Sequence, residues 1–147
     1  MSATGRILLV EDEEADVMLM KLAFAEAGLS AAAQIVSDGR EALRYLRGEG
    51  QYADREKYFL PTMVLLDLRL PYVPGLEVLK AIRADTHLSR LIVVVLTSSA
   101  LEQDVKRAYD LGANSYVTKP CLGSERQQLV NLLREYWMGK NIAPPLG

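Results

Sequence analysis

Cysteine, histidine and tryptophan each occur once in the 147 residues. A single cysteine, Cys121, excludes an internal disulfide and fits a reducing compartment; it reads as a small, partly buried residue. A single histidine, His87, cannot build a zinc site, and its polar surroundings place it on the surface. Its isolation also argues against a phosphohistidine kinase domain. Acidic residues outnumber basic ones by only 19 to 17. The formal net charge is −2, so a basic nucleic-acid-binding face is not expected. No apolar run approaches the roughly 20 residues that cross a bilayer. The opening stretch, MSATGRILLVEDEEAD, has too short an apolar run for a secretory signal before its acidic residues begin. Repeats and low-complexity segments are missing as well. These absences lead us to expect a cytoplasmic protein that binds neither nucleic acid nor membrane.

Apolar residues make up 50% of the chain, enough for a real core. Residues 1–147 read as one domain, with a core over about residues 6–137 and a short tail over 138–147. Ile7 to Val10 reads as a buried strand. Ala15 to Gly28 reads as a helix, with Val17, Leu19, Met20, Ala23, Phe24 and Ala27 near helical spacing and Gly28 as its stop. Met18 and Met20 read as core filling. Ala32 to Val36 is a second strand, and Asp38 is placed to cap a helix running to Leu46. Arg47 to Pro61 breaks the rhythm; part of it is expected to extend the helix, with Tyr52, Tyr58 and Phe59 packing it down. Met63 to Leu66 and Leu91 to Leu96 are strongly apolar strands, and Ser115 to Thr118 is a short one. Helices are expected over Gly75 to Ala84, Leu101 to Leu111 and Glu125 to Trp137. In the last helix Leu129, Val130, Leu132 and Leu133 supply core, while Glu125, Arg126, Arg134 and Glu135 read as a solvated face. Five strands alternating with five helices, the fully apolar strands calling for burial on both faces, imply an α/β fold with a parallel sheet covered by helices.

In such a sheet the functional crevice lies at the carboxyl ends of the strands. Those ends carry Glu11-Asp12, Asp67, Thr97-Ser98 and Lys119-Pro120. Each has a plain structural reading alone: an N-cap, an acidic helix start, a surface lysine before a turn. Together they make a chemical set. Three carboxylates held close repel one another and need a cation; oxygen-only donors suit Mg²⁺. Asp67 is then a nucleophile able to form an acyl phosphate. The Thr97 hydroxyl, the Lys119 ammonium and the Ser98 N–H are candidate partners for phosphoryl oxygens.

LLVEDEEAD, MVLLDLRLPYVPG, VVVLTSSA and ANSYVTKP together resemble the receiver domains of bacterial response regulators, over about Arg6 to Trp137. The resemblance implies a flavodoxin-like doubly wound sheet with strand order 2-1-3-4-5. It implies phosphorylation of Asp67 by a sensor histidine kinase. It implies Mg²⁺ bound directly by Asp12, through water by Glu11, and by Asp67 and the backbone carbonyl of Arg69. Thr97 and Tyr116 match a switch pair, Lys119 the phosphate-binding lysine, and Pro120 a proline preceded by a cis bond. RGEGQYADREKYFLP and Tyr136-Trp137 resemble the single-domain response regulators paired with cyanobacterial and bacterial phytochromes. Two departures stand out. Pro74 sits where the family commonly has Asp, and Arg69 sits where the phytochrome-linked set often has Asn, near the expected path of the attacking water.

The expected function is that of a single-domain response regulator in a phosphorelay, not a turnover enzyme. Its output is binding to another protein, onward phosphotransfer, or service as a sink for the phosphoryl group, and a homodimer is expected through the face of helix four, strand five and helix five. The alternative is a haloacid dehalogenase-like phosphatase with Asp67 as nucleophile, although Arg69 stands where that chemistry wants a second Asp. A flavin-binding module and a receiver that works without phosphorylation are further rivals. The glycine-free acidic loop Glu11 to Glu14 opposes the flavin reading.

Overall fold

A computed structural model of the chain describes residues 5–146. Strands β1 (Ile7–Val10), β2 (Ala33–Val36), β3 (Met63–Leu66), β4 (Ile92–Thr97) and β5 (Ser115–Thr118) form one parallel sheet. Their order is β2-β1-β3-β4-β5, as expected for the flavodoxin-like α/β fold. Helices α1 (Glu14–Glu26), α2 (Gly39–Arg47), α3 (Gly75–Ala84), α4 (Glu102–Asp110) and α5 (Gly123–Glu135) make the crossovers.

The central strands ILLV, MVLL and IVVVLT are buried at every position. Successive side chains point to opposite faces. Leu8, Val10, Val64, Leu66 and Val93 join α2 and α3 in one core. Ile7, Leu9, Met63, Leu65 and Val94 join α1 and α5 in the other. Each buried aliphatic side chain contributes about 1.5–3 kcal/mol, so register is pinned from both sides. The edge strands β2 and β5 are mostly half-buried, which accounts for their less apolar sequences.

Gly28 takes a left-handed φ of 74° just past α1, as its stop role requires. Met20 is buried, but Met18 is 66% exposed, which corrects its expected core role. Two residues apart on a helix is about 200° of rotation, so the pair cannot share one face. The same geometry puts Leu132 in solvent while Val130 and Leu133 are buried. Asp38 caps α2, its carboxylate accepting the Glu41 N–H at 2.7 Å. The segment after α2 does not extend the helix. Gly48 turns left-handed at φ 68°, and a 3₁₀ turn follows at Gly50–Ala53. Arg55 donates to the carbonyls of Tyr45 and Leu46, each at 2.9 Å, and of Tyr58 at 3.2 Å, closing the open end of α2. Tyr52 packs tilted against Tyr45 and edge-to-face against Tyr58, both ring centroids at 5.0 Å, so the expected aromatic packing is present. α5 starts at Gly123 and ends at Glu135; a wider turn, Tyr136–Lys140, lays Trp137 and Met138 on the second core.

At the amino ends of β4 and β5 one side chain ties three elements. Arg83 of α3 donates Nε and Nη2 to the Gly112 carbonyl at 2.9 and 2.7 Å. It also donates to the carbonyls of Ser89 and Leu91 at 3.0 and 2.6 Å and to Asn114 Oδ1 at 2.9 Å. All five guanidinium N–H groups are thereby used.

Candidate functional site

Parallel strands deliver their carboxyl ends to one rim, so residues distant in sequence meet there. Val10 lies beside Leu66, Leu66 beside Val95, and Val95 beside Tyr116. Glu11 and Asp12 therefore leave β1 next to Asp67 leaving β3, with Thr97 at the end of β4 and Lys119 just past β5. Glu11 and Asp67 are buried, at 2% and 6% exposure, and Asp12 is exposed. Carboxylate oxygens of the three lie within 4.8 Å of one another. Three like charges so close call for a cation, and an all-oxygen donor set fits a hard divalent ion.

Lys119 faces the cluster. Its Nζ lies 2.5 Å from Glu11 Oε1, 2.8 Å from Asp16 Oδ2 and 2.9 Å from Asp67 Oδ2. Burial favours the neutral amine, but hydrogen bonds to Asp16, Glu11 and Asp67 outweigh it and hold the ammonium above its ordinary pKa. Glu11 is raised too, which for a carboxyl favours the neutral form. Burial, helped by the Asp67 charge, overrides its bonds to Lys119 and the Glu13 N–H and pushes it up to about 7.

The Thr97 hydroxyl is buried and has no hydrogen-bond partner among the described residues. Leaving such a group unmatched costs about 1–3 kcal/mol. The Tyr116 ring packs with Leu68, Val95 and Ala108, and its hydroxyl donates to the Ser99 carbonyl at 2.9 Å. Ser99 Oγ accepts the Leu101 N–H at 3.3 Å and donates to Asp104 Oδ2 at 2.6 Å, so it braces the start of α4. The Arg69 N–H donates to Asp67 Oδ1 at 3.3 Å, and the Arg69 side chain is exposed. Gly75 starts α3 directly under the loop that follows β3. A Cβ there would overlap the Asp67 carbonyl oxygen and lie 2.6 Å from Leu68 Cα. Pro74 precedes it at φ −59°, a value proline holds without strain. Beside Asp12 an open groove of about 970 Å³, lined in part by Ser37, Asp38, Pro71 and Tyr72, leaves the cluster approachable from solvent.

Residues 7–134 match the response regulator receiver domain. The chain belongs to that family. Similar proteins include the probable methanogenesis regulatory protein FilR2 of Methanothrix harundinacea, 43% identical over 141 residues, which cover 94% of this chain and 86% of that protein. Response regulator Rcp1 of Synechocystis is 36% identical over 132 residues, covering 90% of this chain and 88% of its own length. Among solved structures, the phosphorylated cyanobacterial phytochrome response regulator RcpA has a TM-score of 0.87 at 41% identity, covering 97% of this chain and 99% of that one. The Mn²⁺-bound form of Rcp1 has a TM-score of 0.81 at 35% identity, covering 95% and 99%. The likeness to phytochrome response regulators read from the insertion and the aromatic ending is thereby borne out.

Glu11, Asp12, Asp67, Arg69, Thr97, Tyr116 and Lys119 all lie at or beside this receiver domain's rim, whereas three readings of residues near it fail. Arg126 is not on a solvated face. It is 6% exposed, with Nη1 at 3.2 Å from Asp16 Oδ1 and Nη2 donating to the Pro120 carbonyl at 3.0 Å. Cys121 is exposed rather than partly buried. No cis peptide bond occurs among the described residues, so the bond before Pro120 is trans. Asp16, in the first turn of α1, is a further site residue that the sequence reading does not single out. Burial alone would raise the Asp16 carboxyl, but Lys119 and Arg126 hold it below its ordinary value.

Proposed function

We propose that this receiver domain accepts a phosphoryl group on Asp67 from the phosphohistidine of a sensor histidine kinase and acts as a single-domain response regulator. The observation that carries this is the meeting of Asp67 with Lys119 at 2.9 Å beside the clustered carboxylates and the unpaired Thr97 hydroxyl. An Asp67 carboxylate oxygen attacks phosphorus. The new P–O bond forms as the P–N bond breaks, and the kinase imidazole leaves with the electron pair. Glu11, Asp12, Asp67 and the Arg69 carbonyl are the groups to hold Mg²⁺, which when bound neutralises phosphoryl oxygens. Lys119 pairs with one phosphoryl oxygen and Thr97 donates to another, gaining the partner it lacks.

Tyr116 is turned in toward Ser99, so Thr97 is the half of the switch pair left to move. Its movement biases the surface of α4, β5 and α5, which we assign to a homodimer or a downstream protein, with onward phosphotransfer as the other output. Similarity to RcpA and Rcp1 supports a phytochrome as the kinase. The Mn²⁺-bound Rcp1 structure supports a divalent cation. The reading places the protein in the cytoplasm and gives it no catalytic turnover beyond its own phosphorylation and dephosphorylation. Arg69 at the position of a second acid disfavours the phosphatase alternative.

The test is incubation with Mg²⁺ and a small phosphodonor, followed by intact mass and elution volume for wild type and Asp67→Asn. One phosphoryl mass is expected on wild type alone, with an earlier elution volume. An adduct that persists in Asp67→Asn, or steady hydrolysis of a generic phosphatase substrate, would refute the assignment.

A further inference from the structure

Asp16 lies outside the carboxylate cluster yet holds Lys119 as closely as the cluster does. Of the three oxygens on Lys119 Nζ, those of Glu11 and Asp67 belong to residues that could hold a cation, and that of Asp16 does not. If Glu11 and Asp67 turn toward a divalent ion, the same oxygens can keep the ammonium only by bringing like charges within a few ångströms. Asp16 faces no such conflict. Its second oxygen accepts Arg126 Nη1 at 3.2 Å, and Arg126 Nη2 reaches the carbonyl of Pro120, the residue after Lys119, at 3.0 Å. Asp16, Arg126, Pro120 and Lys119 thus close a ring that ties α1 and α5 to the end of β5 without using Glu11, Asp12 or Asp67.

We propose that Asp16 is the positioning residue for Lys119: it keeps the ammonium beside Asp67 when the cluster carboxylates are engaged by a divalent cation, so that Lys119 is in place as the phosphoryl group arrives. The proposal rests on Asp67 being the acceptor. Arg126 is the second anchor, fixing Asp16 so that its free oxygen points at Nζ. The ring is built from side chains 103 and 110 residues apart in sequence, and it exists only because α1 and α5 pack on the same face of the sheet.

The test follows the ammonium itself. A hydrogen-bonded lysine ammonium gives a ¹H–¹⁵N NMR signal, and that of Lys119 is the one missing in Lys119→Ala. The wild-type signal is expected to persist through a Mg²⁺ titration. In Asp16→Asn it is expected without Mg²⁺, where Glu11 and Asp67 suffice, and to vanish when Mg²⁺ is added. In parallel, Asp16→Asn should raise the half-saturating phosphodonor concentration about tenfold, the loss of one charge-assisted hydrogen bond. It should add nothing in a Lys119→Ala background, where a merely structural role for Asp16 would still act. Asp16→Ser is carried alongside, so that a folding defect of one replacement does not decide the matter. A Lys119 signal that survives Mg²⁺ in Asp16→Asn, or an equal rise in the half-saturating concentration in both backgrounds, overturns the proposal while the Asp67 reading stands. Absence of any adduct on wild type removes the acceptor reading and this proposal with it.

Discussion

Replacing Lys119 with alanine leaves Glu11, Asp16 and Asp67 without the ammonium that each contacts within 3 Å. Lys119 is 11% exposed, and removing one partner of a buried ion pair costs about 3–5 kcal/mol. Slight solvent access and the capacity of Glu11 to take a proton favour the lower end, about 3 kcal/mol. In a chain of 147 residues that lowers Tm by roughly 9 °C at about 3 °C per kcal/mol. Mg²⁺ should narrow the gap by half or more, because the variant's cluster no longer shares its oxygens with an ammonium.

The pH dependence follows from Glu11. Its folded pKa of about 7 lies above the ordinary 4.5, so protonated Glu11 contributes stability that is full below 4.5 and is lost as pH rises through 7. Asp16 is shifted downward, and the tyrosines with a shift titrate above 10, so neither interferes in this window. The Lys119→Ala deficit should therefore be larger at pH 8 than at pH 6. Thermal melts of both proteins in EDTA and in Mg²⁺ at the two pH values supply the comparison. An equal deficit in all four conditions would show that ammonium and cation do not compete for these oxygens, and the electrostatic account of the site would fail.

Thr97→Val removes a buried hydroxyl that has no partner, so the unphosphorylated protein should gain about 1 kcal/mol while binding beryllofluoride more weakly; a lower Tm would mean that the hydroxyl is satisfied after all. Gly75→Ala drives a methyl group into the Asp67 carbonyl, with an expected loss of about 1–3 kcal/mol and slower phosphorylation. Wild-type values for both melting and phosphorylation rate would contradict the close approach. Arg55→Ala removes a donor from three carbonyls, of which that of Tyr45 keeps the Gly48 N–H, and should cost about 2 kcal/mol. Hydrogen exchange should rise across residues 47–61 while Asp67 remains phosphorylatable, and unchanged exchange there would show that the clamp is idle.

The central strands were legible because burial on both faces makes a strand apolar at every position, as in MVLL and IVVVLT. The rim was legible for a related reason: chemistry at strand ends follows directly from strand order. What escaped notice depends on how helices pack on one another. Arg126 looks like any surface arginine of a polar helix, and only the docking of α5 beside α1 delivers it to Asp16, 110 residues away. Met18 and Leu132 were misjudged because being apolar does not by itself say which way a helix faces. The insertion misled for a different reason: its helix-breaking signal, Gly48, was legible, but the carbonyl clamp of Arg55 that holds the turn was not.

The saturated guanidinium of Arg83 sets the mechanics of any signal that begins at Thr97. It rivets the end of α3, the approach to β4 and the turn after α4 at Gly112, all remote from the chemistry. The opposite end of α4 is tethered through one residue of the preceding loop, Ser99, whose Oγ donates to Asp104 and accepts the Leu101 N–H. A helix pinned at its tail and lightly tethered at its head pivots more readily than it slides. A disturbance at the rim would thus swing the leading turn of α4, residues 102–105, through the widest arc, and that is the stretch a partner would sense first.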